Sequence, residues 1–576
     1  MSFVLLLSSQ FPGLTSFLDS VSTVLTGAPY FSLSSSDSFL NDIKDSSIVK
    51  LDSNTGYVHD ILLVFLKDDV SLLQRHTIFK SVNGFCIGYL KPANLFVLKA
   101  SFNGVNEMTS LCKTLMQNVG VVYASGSFAF KNKDAYTPND PFDGLNTGTD
   151  RWDESNPGGG TWWLEAIDAR NAWGYSSYFN HMNIGIIDSG FDTNHPDLSG
   201  KFVFPNALLA SENIPTAHGT HVAGIIAAKG DNGTGICGIC QNSTLTCVDW
   251  EPEQGQYWIA DLRIIFGVGY TIADGAKVVN LSIGSSNSID KGQPAYPALW
   301  MNTEGALVSA YTAILISKGY DFVIVQAAGN GDSQGNAVDS FNNGSFCCIT
   351  EQNALSGIMG VPAKAVLDRI IIAGAAQNSG YDRFIQTSFS NVGSGVSICA
   401  PGSWVYSCSL ANNNYYQYMS GTSMAAPIVT AVASLVWAVN PKLTGPQVKA
   451  IVCNEANTRY NVPPTNDKYW PDAPFQSYRM VNAQLAVEAA IKTAYSVGTV
   501  SGKAINSHGN GFECEIKAVC GDKEFNFSCG SDGTFSFLLP PGDAVINFIN
   551  SDASYTVVNT SVQADKTVDL GQIVLH

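Results

Sequence analysis

Three short segments of this chain carry side chains that could cooperate in acyl transfer. An apolar run from Ile184 to Ile187 ends at Asp188-Ser189-Gly190, His218-Gly-Thr-His221-Val-Ala-Gly224 opens a stretch of small residues, and Ser420-Gly-Thr-Ser423-Met-Ala-Ala-Pro427 opens a long apolar one. A serine hydroxyl is a weak nucleophile until a base takes its proton, and an imidazole oriented by a carboxylate is a base suited to neutral pH. Asp188, His218 and Ser423 supply carboxylate, base and nucleophile in that chain order. A fourth piece, Ala328-Gly-Asn330-Gly, follows another apolar run and offers an amide donor for a developing oxyanion. Each alone has a plain reading: Asp188 as a turn residue, His218 as a packed core residue, Ser423 as a helix cap. Together they make a nucleophilic site.

Such groups need rigid elements to hold them. Short Ile- and Val-rich runs at Ile184–Ile187, Val278–Ile283, Phe322–Ala327 and Ile370–Ala373 lack in-out alternation, which predicts parallel strands buried on both faces. Helices are predicted over His221–Ala228, Ile259–Ala273, Thr303–Lys318, Met424–Val439 and Val448–Glu455, the last with Thr444 as cap and Pro446 in its first turn. The result is an α/β domain over residues 161–495, a parallel sheet flanked by helices. In such sheets ligands bind at the carboxyl ends of strands, where Asp188 falls, and a serine opening a helix sits where backbone N–H groups point outward.

Other parts of the chain have a different rhythm. From His59 to Ala124 the pattern reads β-α-β-β-α-β, an α+β ferredoxin-like unit spanning residues 59–130. Residues 131–160 are rich in Asp, Asn, Pro and Gly and read as an exposed linker. Residues 497–576 consist of short strands separated by Gly, Asp, Asn and Pro clusters, the pattern of a small β-sandwich. Residues 1–58 yield no reading of their role.

Composition narrows the partners. The 576 residues are 45% hydrophobic and only 14% charged, enough to bury large cores. Forty-eight acidic against 31 basic side chains leave a formal charge of -17, which repels phosphate polyanions and argues against nucleic acid. The apolar stretch Ala426–Val439 is interrupted by Thr430 and Ser434 and is shorter than a bilayer span, so no transmembrane segment is expected. Phe3–Leu7 is a weak signal-peptide core with no basic residue before it. Thirteen cysteines cannot all pair with one another. Cys237-Ile-Gly-Cys240 has the spacing of half a zinc knuckle without a second half, and structural cysteines are the expectation. Asn232-Gly-Thr and Asn242-Ser-Thr match a glycosylation pattern too short to be informative.

The blocks IGIIDSGFDTNHPDL around Asp188, HGTHVAG at His218, AAGNG at Asn330 and SGTSMAAP at Ser423 resemble the four signature blocks of the subtilisin-like serine peptidases, the subtilases. The resemblance covers about Trp162 to Ala494. It implies a serine endopeptidase with Ser423 as nucleophile, His218 as general base and acid, Asp188 orienting His218, and Asn330 in the oxyanion hole. His195 and His221 match structural positions. Asn280-Leu-Ser-Ile-Gly284 looks like the strand lining the substrate groove, with Ser282, Ile283 and Gly284 pairing with the peptide main chain. The resemblance implies chemistry without a cofactor. It leaves structural calcium open, with Asp197 and Asn232 as candidates. The unit at 59–130 resembles the inhibitory prodomain of these peptidases, with cleavage expected in the linker, and the tail resembles transthyretin-like sandwiches of exported enzymes. Protein or peptide substrates and a secreted or cell-surface location follow as expectations. Glu251 and Glu253, where relatives commonly continue a strand, and the long segment Asp332–Asp368 depart from the family pattern, so substrate preference does not carry over.

Three rival readings compete. Gly331-Asp-Ser-Gln-Gly335 has the form of an esterase nucleophile elbow, but that fold places its histidine after the serine and only His508 and His576, both in the tail, follow Ser333. A catalytically silent peptide-binding module would keep the groove, and a transpeptidase would resolve the acyl-enzyme with an amine.

Overall fold

The computed structural model describes residues 48–50, 55–90, 93–131, 160–230, 232, 234–251, 258–284, 298–332, 335–354, 358–380, 383–464, 476–521, 523–530, 532–549 and 555–575. The region 1–47, the expected cleavage region within 131–160, Glu253 and Ser333 lie outside the described residues.

A ten-stranded sheet organises the catalytic domain, in the spatial order 458–462, 478–481, 398–401, 370–378, 323–327, 278–281, 182–188, 243–249, 202–203, with 384–386 pairing at the side of 370–378. The strands from 398–401 through 202–203 pair in parallel. Burial explains the continuous apolar runs: Val278–Leu281 and Val323–Ala327 are buried at every position. The predicted elements recur with shifted ends. The strand expected to reach Ile283 stops at Leu281, and the helix expected from His221 begins at Ala217 with Thr216 as cap. Thr444 and Gln447 form the reciprocal capping box at the start of Gly445–Val452.

The chain leaves Met182–Asp188 for Ser243–Asp249 on one flank, then crosses back to Val278–Leu281 on the other. That reversal makes a topological switch point at the carboxyl ends of 182–188 and 278–281, the position where open α/β sheets take ligands. The helix Thr422–Val439 crosses the domain with all its residues buried. At 18 residues it is longer than the apolar stretch read from sequence and is apolar enough to span a bilayer, yet its complete burial makes it a core helix.

The N-terminal unit begins earlier than residue 59. Thr55–Leu66 pairs with a short strand, Ile48–Lys50, and the four main strands lie in the order 85–90, 95–99, 55–66, 121–131. Both faces of this sheet are covered. Leu62, Val64 and Leu66 pack with its own helices Leu72–Lys80 and Val105–Met116, while Ile61, Leu63 and Phe65 join the core of the catalytic domain. Two buried faces account for an apolar run with no alternation. Phe65 packs against Tyr311, Lys318 bonds Asp68 at 2.6 Å, and Ala129–Lys131 pairs antiparallel with Trp258–Ala260 of the catalytic domain.

The C-terminal domain has a three-stranded sheet (534–539, 498–505, 567–574) and a four-stranded one (523–528, 515–520, 542–549, 555–562). It docks firmly: Phe527 lies 5.0 Å from Tyr175, and the Tyr175 hydroxyl donates to Glu488 at 2.8 Å while accepting from the Leu538 N–H at 2.8 Å.

Candidate active site

Asp188 is the last residue of its strand and is fully buried. Its Oδ1 accepts from His218 Nδ1 at 2.6 Å and from the Ser189 N–H at 2.8 Å, while its Oδ2 has no hydrogen-bond partner. His218 stands in the first turn of Ala217–Ala227, behind Thr216, whose hydroxyl accepts from the Gly219 N–H. Gly219 is required there, because a Cβ would lie 2.1 Å from the Gly190 carbonyl oxygen. With Nδ1 committed to a carboxylate, the basic lone pair of a neutral His218 is on Nε2.

Ser423 stands at the start of the buried helix, so its N–H has no acceptor one turn back inside it. Its Oγ lies 3.3 Å from the Ser282 carbonyl, and its own carbonyl accepts from Ser282 Oγ at 2.7 Å. Ser282 Oγ in turn accepts from Asn280 Nδ2 at 2.9 Å, and Asn280 Oδ1 accepts from Thr430 at 3.0 Å. This buried chain fastens the first three turns of the helix to the end of strand Val278–Leu281. Leu281 stands opposite Ile187 across the parallel pair, so Ser282 and Asp188 follow at neighbouring strand ends, about 4.8 Å apart in the sheet direction. The acid–imidazole pair and the segment that holds Ser423 thereby stand at neighbouring strand ends.

Asn330 lies just past strand Val323–Ala327. Its Oδ1 accepts from both the N–H and the hydroxyl of Thr422, at 2.8 and 2.9 Å, and Thr422 Oγ1 accepts from the Gly329 N–H at 3.0 Å. These bonds fix the amide's orientation and leave Nδ2 as its donor end. Gly329 (φ +103) and Gly331 (φ +79) give the loop the left-handed backbone it needs. Ser282, Ile283 and Gly284 continue past their strand without ladder bonds among the described residues, and the Ile283 carbonyl accepts from Gln326.

His195 and His221 are structural. His221 is fully buried, with Nε2 against the Val405 and Gln417 carbonyls at 3.0 and 3.2 Å, and burial, reinforced by His218, pushes its pKa down to about 3. His195 Nε2 meets the Tyr415 carbonyl at 2.7 Å and its Nδ1 accepts from the Asp197 N–H at 3.1 Å. The calcium candidates do not fit a cation as arranged. Asp197 takes Asn232 Nδ2, the Ile236 N–H and the Tyr416 hydroxyl, so protein donors already meet its oxygens and Asn232 offers it a donor rather than a ligand. Among the described residues no cluster of three or more His, Cys, Asp or Glu could hold a metal. Cys240 is buried, and neither Cys237 nor Cys240 belongs to a metal-holding cluster among the described residues.

Sequence reasoning missed Asp249, which stands opposite Asp188 at the next strand end and is almost fully buried. It accepts from the Ile214 and Glu251 N–H groups, and burial raises its pKa to about 6. Its signal was weak, an acid ending the short strand Ser243-Thr-Leu-Thr-Cys-Val248, which lacks the unbroken apolar run that precedes Asp188. The supporting roles of Thr422 and Thr430 had no signal beyond lying in the block and helix around Ser423.

An α/β sheet with an acid–imidazole pair and a helix-borne serine at its carboxyl edge defines a serine hydrolase class. Residues 180–481, more than half of the chain, match the model of the subtilase family, and the chain belongs to that family. It is 29% identical over 419 residues to the thermophilic serine proteinase of Bacillus sp. (strain AK1), covering 71% of this chain and 85% of that protein. It is 29% identical to thermitase of Thermoactinomyces vulgaris (60% and 99% covered) and 31% identical to subtilisin DY of Bacillus licheniformis (50% and 86%). The fold is similar to that of fervidolysin, a keratinolytic enzyme from Fervidobacterium pennivorans, with a TM-score of 0.52 at 20% identity over 91% of this chain and 79% of that one. The chain is a subtilisin-like serine endopeptidase. It needs no cofactor for its chemistry, and its substrates are proteins.

Proposed function

We propose that Ser423 Oγ attacks the scissile carbonyl while His218 Nε2 takes its proton. Asp188 holds the Nδ1–H and stabilises the imidazolium that forms. Asn330 Nδ2 and the Ser423 N–H receive the oxyanion. His218 then protonates the leaving amine, and water, activated by the same imidazole, hydrolyses the acyl-enzyme. Ser282, Ile283 and Gly284 bind the substrate as an added strand, with main-chain hydrogen bonds supplying affinity. The observation that carries this reading is the 2.6 Å contact of His218 Nδ1 with a fully buried Asp188, because it commits the other ring nitrogen to base chemistry. Digestion of a peptide library by the processed protein tests it: cleavage is expected from the parent and none from Ser423→Ala or His218→Ala, and equal cleavage by the variants overturns it.

The N-terminal unit is proposed as a prodomain that blocks the cleft until the linker at 131–160 is cut. Its packing on the catalytic helices and its pairing with Trp258–Ala260 support that role. Pure wild-type and Ser423→Ala proteins should differ in size after incubation. Equal processing of both rules out self-cleavage. Secretion or cell-surface placement belongs to the same proposal and is supported by the family likeness.

A further inference from the structure

We infer that Cys514 and Cys529 form an internal disulfide by exchange with a small disulfide that reaches Cys529 from the cavity between the sandwich and the catalytic domain. Both are buried free thiols, and they bring their sulfurs within 3.1 Å. The hairpin explains the approach. Strands Glu515–Cys520 and Lys523–Ser528 are antiparallel with Glu515 opposite Ser528, so Cys514 and Cys529 are the next pair at its open end. The Cys529 N–H donates to the Cys514 carbonyl at 3.1 Å, holding the two backbones together there.

The two sulfurs are not equivalent. Cys529 Sγ accepts from the Cys514 N–H at 2.8 Å and lies 3.1 Å from Cys514 Sγ, and their contact lowers the pKa of Cys529 and raises that of Cys514. Cys529 also lines a cavity of about 750 Å³, together with Arg170, Asn171, Arg459 and Glu513, whereas Cys514 does not. That volume lies within the range that admits a small organic molecule.

The chemistry follows from this asymmetry. The Cys529 thiolate attacks one sulfur of the incoming disulfide, the old S–S bond breaks, and one small thiolate leaves and takes up a proton. Cys514 then loses its proton and attacks Cys529 Sγ, breaking the mixed disulfide and expelling the second small thiolate. Two protein thiols are oxidised and one small disulfide is reduced to two thiols. The bridge closes the hairpin beside its anchor on the catalytic domain, where the Ser528 N–H donates to Asn171 Oδ1 at 2.9 Å.

Oxidised glutathione is the probe, applied to the folded full chain carrying Ser423→Ala to prevent digestion. Proteolytic mapping should recover a Cys514–Cys529 cross-linked peptide. With Cys514→Ser the reaction should stop at glutathione on Cys529, and with Cys529→Ser position 514 should remain free. The oxidised chain should melt at least about 5 °C higher in its sandwich transition, reversibly with dithiothreitol. Absence of the cross-link after prolonged exposure of folded protein overturns the pairing. Glutathione on Cys514 in the Cys529→Ser variant overturns the assignment of Cys529 as the attacking thiol.

Discussion

Replacing Asp188 by asparagine isolates what its charge does. In many acid–imidazole pairs that change also swaps the tautomer of the histidine, because the new amide can turn its NH2 toward the ring. Here the Ser189 N–H donates to the same oxygen that meets His218, at 2.8 Å, while the other carboxylate oxygen has no hydrogen-bond partner. An asparagine therefore keeps its oxygen facing His218 and turns its NH2 to the unpartnered side. The tautomer survives and only the charge is lost. For charges roughly 4 Å apart at an effective dielectric constant of about 20, that attraction is about 4 kcal/mol. At about 1.36 kcal/mol per tenfold, kcat should fall roughly 10³-fold. The acid limb of the rate profile should move to lower pH, because an imidazolium without its carboxylate deprotonates more easily. The assay is hydrolysis of a chromogenic peptide anilide by processed protein from pH 4 to 10, with circular dichroism to confirm folding. A loss below tenfold, or an unmoved acid limb, refutes the electrostatic role. Recovery of full activity at high pH points to a swapped tautomer and refutes the pinned amide.

Asn330→Ala should lower kcat roughly 100- to 1000-fold with little change in KM, and a loss under tenfold in steady-state kinetics means the oxyanion is held otherwise. Ser282→Ala strands the Asn280 amide and the Ser423 carbonyl, a cost of about 1–3 kcal/mol that thermal melting should register together with reduced kcat; unchanged values of both contradict the network described above. His221 has a folded pKa of about 3, below the ordinary 6.5, so its contribution is present above pH 6.5 and lost as the pH falls toward 3. His221→Gln should flatten the fall in melting temperature over that window, and a curve as steep as the parent's rules His221 out as its source. Asp249 acts with the opposite sign: its folded pKa of about 6 exceeds the ordinary 3.8, so folding loses stability as the pH rises from 3.8 to 6. Melting of Asp249→Asn across that interval should lack this component, and an unaltered slope assigns it elsewhere.

The four candidate site residues could be singled out because each block couples a reactive side chain to the small residues that let backbone approach it. Gly219 beside the Gly190 carbonyl is one such coupling. The sheet was legible because strands buried on both faces leave unbroken apolar runs, and Val278–Leu281 is such a run. What stayed hidden depends on contacts between distant segments. The pairing of Ala129–Lys131 with Trp258–Ala260 joins two segments whose residues have no local pattern in common. The Thr430–Asn280–Ser282 chain links a helix interior to a strand end through ordinary polar residues that read singly as packing or solvation. Asp197 and Asn232 looked like oxygen ligands because residue type alone does not reveal whether a carboxylate is already met by N–H and O–H donors.

The most direct measurement is active-site labelling with a fluorophosphonate, followed by mapping of the modified peptide. The mechanism predicts a covalent adduct on Ser423 of the processed enzyme, lost in Ser423→Ala and strongly slowed in His218→Ala. An adduct on another residue, or undiminished labelling of the Ser423→Ala protein, would contradict it.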